Sequence, residues 1–314
     1  DKAMIMIGAL ANNHPQAAKI RALSALISRL TSSQLIVLPA ANSKASALAG
    51  VLPQSGDALN VEQSFQANLN SYVLLGVEPE LDCADPSAAM AALDNADFVV
   101  SLQSYVTETM LTYADVILPV SSFAESSGTF VSIDGQWQAY AGAVSPMGES
   151  RPAWKVLRVL ANVAELDGFD YVSSQDVNAE VRRGLDIKVR EDSSTYCPET
   201  LDSGLTGIQI ISEVPMYQTD SVVRRSSALA QTVENQAALI AKVNEAEAEK
   251  QGLRTADSVI VSQGDQSVTM AFEVDNAIAD GCIHMPTGVP EMAQFSASFS
   301  IVEIQANGRG EHYD

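Results

Sequence analysis

The feature that most restricts the fold is a succession of five short apolar segments, 3–7, 34–38, 72–77, 98–103 and 116–118, alternating with helix-patterned runs. Each is apolar on both faces, and all but 98–103 are closed by Gly or Pro, as expected of parallel strands covered on both sides. After Pro15, which suits a first helical turn, Ile20, Leu23, Leu26, Ile27 and Leu30 recur at helical spacing with Lys19, Ser24 and Ser28 between them. A second helix is predicted with Asp85 as N-cap and Pro86 at its first position, continuing over 88–93. Strand–helix–strand repetition with short connections predicts an α/β fold with a doubly wound, mainly parallel sheet.

From Val120 this alternation gives way to a polar, glycine-bearing loop over 121–138. Helices are predicted over 152–166, with Trp154, Leu157, Leu160 and Val163 on one face, and over 175–188. Residues 190–206 are rich in Ser, Thr, Asp, Gly and Pro and read as an exposed connector. Beyond 207 the period becomes strand-like, with segments at 208–214, 238–243, 258–262, 266–274, 282–285 and 299–304. Asn244 can cap a short helix over 245–251 that Gly252 closes, and Gln263-Gly264-Asp265 reads as the turn of a hairpin. Many short strands with one small helix predict a closed β-barrel. The expected organisation is an α/β domain over 1–166, a helical or irregular connector over 167–206 and a barrel over 207–314.

Composition narrows the function. A formal net charge of -21 repels phosphate backbones and anionic headgroups, so nucleic acid and direct membrane insertion are not expected. Aromatics at 6% are too scarce for a base-stacking platform. No stretch approaches the roughly 18 apolar residues that span a bilayer, and no signal peptide opens the chain, which together predict a cytoplasmic-side protein. The chain enters a strand directly after Asp1, as expected of a fragment of a longer polypeptide.

Chemistry-bearing clusters are few. Cys83, Cys197 and Cys282 are widely separated and lack the short spacings of iron–sulfur or zinc sites, so no metal is expected in this chain. His14, His284 and His312 form no metal-binding spacing and read as cap, core or tail residues. The turn Gly8-Ala9-Leu10-Ala11-Asn12-Asn13 is not a dinucleotide fingerprint, and no GxSxG elbow presents a serine nucleophile. Glu78-Pro79-Glu80-Leu81-Asp82 follows a strand end and could form a catalytic or Mg²⁺ site; solvated acids in a turn before the next helix are the preferred reading. Arg224-Arg225 could clamp an anion, but ordinary surface ion pairing is preferred. No catalytic residue is expected.

The runs Leu74-Leu75-Gly76-Val77-Glu78-Pro79-Glu80-Leu81-Asp82-Cys83-Ala84-Asp85, Tyr113-Ala114-Asp115-Val116-Ile117-Leu118-Pro119 and Glu125-Ser126-Ser127-Gly128-Thr129-Phe130 carry a resemblance, as does Gly148-Glu149-Ser150-Arg151-Pro152-Ala153-Trp154-Lys155-Val156-Leu157-Arg158. Together they resemble the large iron–sulfur subunit of bacterial NADH–quinone oxidoreductase (respiratory complex I), within the molybdopterin oxidoreductase superfamily. Asn244, Ala248, Gly252-Leu253, Asp257 and Val259 resemble that superfamily's C-terminal dinucleotide-cofactor barrel, a double-psi fold.

The resemblance implies that this chain is the C-terminal scaffold of that subunit. NADH-to-quinone electron transfer would run through iron–sulfur clusters in the N-terminal half of the parent, with no cofactor in this part. The implied partners are that N-terminal half and other hydrophilic-arm subunits, on the cytoplasmic side of the inner membrane. In molybdenum-containing relatives the acid-then-Gly-Thr loop lies against the pterin, which implicates Glu125, Gly128, Thr129 and Gln138 in a vestigial pterin pocket. Ser132 and Gln136 stand where relatives usually have Asn and Arg, so a guanidinium able to grip a pyrophosphate is lost. Two further readings stay open: the cofactor-binding part of an active molybdopterin oxidoreductase such as a formate dehydrogenase, and an independent small-ligand or protein-binding module.

Overall fold

The computed structural model describes residues 3–53, 58–185, 206–295 and 298–307. The chain divides into two compact units, Asp1–Gly76 with Asn95–Leu201 and Val77–Asp94 with Asp202–Asp314. The chain therefore leaves the first unit after a strand, supplies a short helical excursion to the second, and returns.

In the first unit, β1 (Met4–Ile7) and β2 (Gln34–Val37) pair in parallel, while β3 (Ser71–Leu75), β4 (Phe98–Gln103) and β5 (Val116–Pro119) form a separate parallel ladder with β4 at its centre. The five predicted strands are thus present and parallel, split between two hydrogen-bonded ladders. Between β1 and β2 the helix Ala17–Thr31 starts two residues after Pro15, with Gln16 as N-cap. Its last turn ends at Ser32 in the left-handed region (φ 53°).

Cover on both faces holds for β4, where Val99, Ser101, Leu102 and Gln103 are buried. It fails for β3, which alternates: Tyr72 and Leu74 are buried while Val73 and Leu75 are exposed. The helix Ala153–Val163 forms as predicted, yet Leu157, Leu160 and Val163 on its apolar face are exposed.

The predicted loop over 121–138 is partly a hairpin. β6 (Gly128–Val131) and β7 (Trp137–Tyr140) pair antiparallel, joined by a turn in which Gly135 takes φ 88°. The aromatic and β-branched residues Thr129, Phe130, Val131, Trp137 and Tyr140 favour strand geometry, but Ser and Gly on either side hide the period. The helix expected over 175–188 is Ser174–Gly184, capped by Ser173 and Asp176; residues 190–205 of the expected connector over 190–206 lie outside the described residues.

The second unit is a closed six-stranded barrel of β8 (Ile208–Glu213), β9 (Ala241–Val243), β10 (Ser258–Gln263), β11 (Gln266–Val274), β12 (Cys282–Pro286) and β13 (Ile301–Ala306), ordered β10-β11-β9-β12-β8-β13. β10 and β11 form the predicted hairpin, with Gly264 at φ 58°. β8 runs parallel to β12 and β9 parallel to β11, so the two later strands each reach back to an earlier one. Ile210, Val243, Leu253, Val259, Val261, Ile283 and Met285 fill the interior at 1% exposure or less. Each such side chain stabilises by roughly 1.5–3 kcal/mol relative to exposure. The apolar run 238–243 is split: Ala238 ends the helix Val233–Ala238, and only Ala241–Val243 is strand.

Candidate functional site

The acidic segment after β3 belongs to the second unit. Glu78 precedes a short helix, Pro79–Asp82, and the Asp82 carboxylate accepts from the Glu78 backbone N–H at 2.7 Å. The expectation of solvated acids fails here, because Glu78 is 1% exposed and Glu80 8%. Arg224 accounts for the difference. Its Nη1 donates to Glu78 Oε2 at 2.8 Å, and its Nη2 to Asp82 Oδ1 at 2.6 Å and to the Gln218 carbonyl at 3.0 Å. Arg225 Nη2 lies 2.9 Å from Glu78 Oε1. Burial opposes the Arg224 charge, but the Asp82 hydrogen bond and the two carboxylate charges prevail and raise its pKa above the ordinary arginine value. The arginine pair is thus a partly buried clamp on the chain's own carboxylates rather than a surface anion site.

The next predicted helix follows as expected: Asp85 Oδ1 accepts from the Ala88 N–H, and Pro86 opens the helix Pro86–Asp94. Burial pushes the Cys83 thiol up to about 11, helped by the charges of Asp82, Glu80 and Asp85. Cys197 and His312 lie outside the described residues. His14 Nδ1 accepts from the Gln16 N–H at 2.9 Å beside the helix start, a capping role. No group of three or more His, Cys, Asp or Glu that could hold a metal ion occurs among the described residues.

The loop singled out by its acid and Gly-Thr pair lies in the first unit. Glu125 ends a single 3₁₀ turn, Phe123–Glu125, where Oε2 accepts from the Ser122 N–H at 2.9 Å and Oε1 from the Met147 N–H at 3.0 Å. Thr129 Oγ1 accepts from Asn178 Nδ2 at 3.0 Å. Asn42, which sequence reasoning missed, binds the edge of β6: it donates to the Thr129 carbonyl at 2.9 Å and accepts from the Val131 N–H at 3.0 Å. Its side-chain amide copies a neighbouring strand's peptide, a pairing that a separation of 87 positions conceals.

Gly128 lies opposite Tyr140, and a Cβ there would stand 2.6 Å from the tyrosine Oη. Gln138 is exposed on β7. Ser132 and Gln136 hydrogen-bond to Asp134, and the Ser132 bond holds that carboxyl below its usual pKa.

Two cavities adjoin this loop. The larger, about 790 Å³, is lined by Glu125, Ser127, Arg151, Trp154 and Lys155 among others. The smaller, about 200 Å³, is lined by Gly128, Thr129, Trp154 and Asn178 among others. The four implicated residues therefore do not converge: Glu125 faces one cavity, Gly128 and Thr129 the other, and Gln138 lines neither. Arg151 donates to the Gly148 and Ser150 carbonyls, while Lys155 sits 5.3 Å from the Trp154 ring centroid.

Residues 1–163 match the molybdopterin oxidoreductase family, so the chain belongs to that family of redox proteins. Among curated relatives, a protein named "Putative formate dehydrogenase" from Staphylococcus aureus strain bovine RF122 / ET3-1 is 32% identical over 123 residues. A namesake from strain MRSA252 is 31% identical over the same length. Each match covers 39% of this chain and 12% of the relative. Among solved structures, acetylene hydratase from Pelobacter acetylenicus superposes with a TM-score of 0.53 at 16% identity, over 72% of this chain and 39% of that one. This likeness shows the fold: an α/β unit with parallel sheets followed by a closed barrel.

The family implies a pterin dinucleotide, for which the four residues singled out do not form a single pocket. Both Glu125 oxygens and the Thr129 hydroxyl oxygen accept hydrogen bonds from the chain itself. The Tyr140 ring fills the space beside Gly128. The side chains at 132 and 136 carry no charge with which to bind a pyrophosphate.

Proposed function

We propose that this chain is the C-terminal scaffold of the large iron–sulfur subunit of an NADH–quinone oxidoreductase, and that its pterin pocket is vestigial. The observation carrying this reading is that the implicated residues do not converge on one pocket: Glu125 lines one cavity, Gly128 and Thr129 another, and Gln138 neither. The motif runs at 74–85, 113–119, 125–130 and 148–158 support the same assignment. In this reading, iron–sulfur clusters elsewhere in the longer polypeptide carry electrons from NADH toward quinone. This part excludes water and supports neighbouring hydrophilic-arm subunits on the cytoplasmic face of the membrane. No helix among the described residues is long and apolar enough to cross a membrane, which is compatible with a peripheral position.

The names of the Staphylococcus aureus relatives favour a second reading, the cofactor-binding part of a formate dehydrogenase. One preparation separates the two. The full-length polypeptide containing this chain is purified from its native membrane and analysed for iron and molybdenum. Iron without molybdenum, with co-purifying NADH–quinone reductase activity, is expected. Stoichiometric molybdenum with formate-dependent dye reduction would overturn the proposal in favour of the second reading.

A further inference from the structure

The outer edge of β6 is a place where a further strand could add. Among the described residues β6 pairs with β7 alone, so the backbone groups on its other side have no ladder partner. An edge left bare is a template for another chain. The run Gly128-Thr129-Phe130-Val131-Ser132-Ile133 carries no charge and no proline, and four of its six residues are β-branched or aromatic. That is the composition of segments that stack strand on strand. Phe130 is 50% exposed, with its ring centroid 5.3 Å from that of Tyr140, so the hairpin also shows apolar surface there.

Three outward-facing groups along this edge are nevertheless satisfied, all from one short stretch at the start of the helix Ser43–Leu48. Asn42 Nδ2 donates to the Thr129 carbonyl at 2.9 Å, and Asn42 Oδ1 accepts from the Val131 N–H at 3.0 Å. Lys44 Nζ donates to the Ile133 carbonyl at 2.6 Å. Positions 129, 131 and 133 alternate along the chain, as groups facing one neighbouring strand must. Asn42 is the N-cap residue of its helix, where a side-chain oxygen ordinarily accepts from a first-turn N–H, yet it makes no such bond. Both ends of its amide lie on β6 instead. A helix start thus stands in the place of a third strand, and the ladder ends there because helical backbone groups bond within the helix.

We infer that Asn42 and Lys44 form an edge guard, which holds the place of a third strand and keeps β6 from pairing with β6 of a second copy of this chain. A second copy fits the edge because the same strand faces itself across a two-fold axis, where the carbonyls and N–H groups of each copy meet their complements on the other. The net charge of -21 repels a second copy at long range. The uncharged run 128–133 supplies none of that repulsion locally, so the guard acts where charge does not.

Sedimentation velocity on the 314-residue chain over a wide concentration range tests the inference. Asn42→Ala removes both amide bonds and should tighten self-association about tenfold relative to wild type. Lys44→Ala removes one bond and should shift it in the same direction by less. Hydrogen exchange followed by NMR locates the contact. The Val131 N–H should be protected in wild type, exchange fast in dilute Asn42→Ala, and regain protection as the copies pair. Where Asn42→Ala does not fold, Lys44→Ala and the wild-type exchange decide. Fast exchange of Val131 in wild type, self-association unchanged in the variants, or association without protection of Val131 would overturn the guard.

Discussion

Arg224 Nη1 donates to Glu78 Oε2 at 2.8 Å, joining two side chains that are 6% and 1% exposed and 146 residues apart in sequence. The bond ties the Val77–Asp94 excursion to the segment that follows β8, within one compact unit. Without Glu78, Arg224 keeps Asp82 and the Gln218 carbonyl but loses its most deeply buried acceptor. Glu78→Ala should therefore destabilise this unit by about 2–3 kcal/mol in chemical denaturation. Asp82, whose side chain is 28% exposed, is backed by solvent, so Asp82→Asn should cost less. A Glu78→Ala loss no larger than that of Asp82→Asn would show that the clamp is not what holds the excursion in place.

Glu80, two residues further on, behaves in the opposite sense. Burial first, and then the charges of Glu78 and Asp82, hold its pKa above the ordinary carboxylate value. Because the folded-state pKa is raised, ionisation is penalised in the fold. The penalty is absent below the unfolded value, grows as pH rises between the two values, and is complete above the folded one. Glu80→Gln should accordingly raise the unfolding temperature by a few degrees at pH 7, with the advantage shrinking as pH falls toward about 4. Thermal melts of both proteins across that window measure it. An advantage that grows on acidification would reverse the assigned sign.

Cys83 offers a chemical probe of the same excursion. With its thiol pKa at about 11, its thiolate fraction at pH 8 is roughly two orders of magnitude below that of a free cysteine. Burial also raises the Cys282 thiol. Alkylation by iodoacetamide, followed peptide by peptide in a mass spectrometer, should be slow at both positions in the native chain and fast after denaturation. Rapid native labelling of Cys83 would mean that the excursion opens on the timescale of the reaction.

The features legible in sequence are those with local causes. Asp85 and Pro86 announce a helix start, Asn244 and Gly252 bracket another helix, and Gly264 marks the β10–β11 hairpin. All three signals act within a few residues. The β6–β7 hairpin escapes a sequence reading because Ser and Gly around Thr129 and Phe130 dilute its period of two. Likewise, nothing local tells β2 and β3 to join different ladders, since both are short apolar strands. Resemblance draws attention to Glu125 and Thr129, but not to what engages them: Met147 and Asn178 lie 22 and 49 positions away. The acids after β3 mislead for the same reason, because the arginines that bury them lie far along the chain. Long-range pairing decides whether a polar residue faces water, a ligand or its own chain, and one sequence records that only weakly.

The cap of the helix Glu245–Lys250 gives the last test. Asn244 is 7% exposed and uses both ends of its amide: Oδ1 accepts from the Glu247 N–H at 2.8 Å, while Nδ2 donates to Asp280 Oδ1 at 2.6 Å and to the Ile278 carbonyl at 3.2 Å. Ordinary capping requires only the oxygen, so Asp, Ser and Asn are near equals at an exposed helix start. Here the nitrogen end matters as much. Asn244→Asp keeps the cap but sets a second carboxylate against Asp280 and removes the donor to Ile278. Asn244→Ser keeps an acceptor without adding charge. The expected order of stability is therefore wild type, then Ser, then Asp, with Asn244→Asp costing about 2–3 kcal/mol at pH 7. Pairing Asn244→Asp with Asp280→Asn should recover part of that loss by restoring a donor–acceptor match. Denaturant melts of the four proteins decide it, and an Asp variant as stable as wild type would reduce Asn244 to a helix cap.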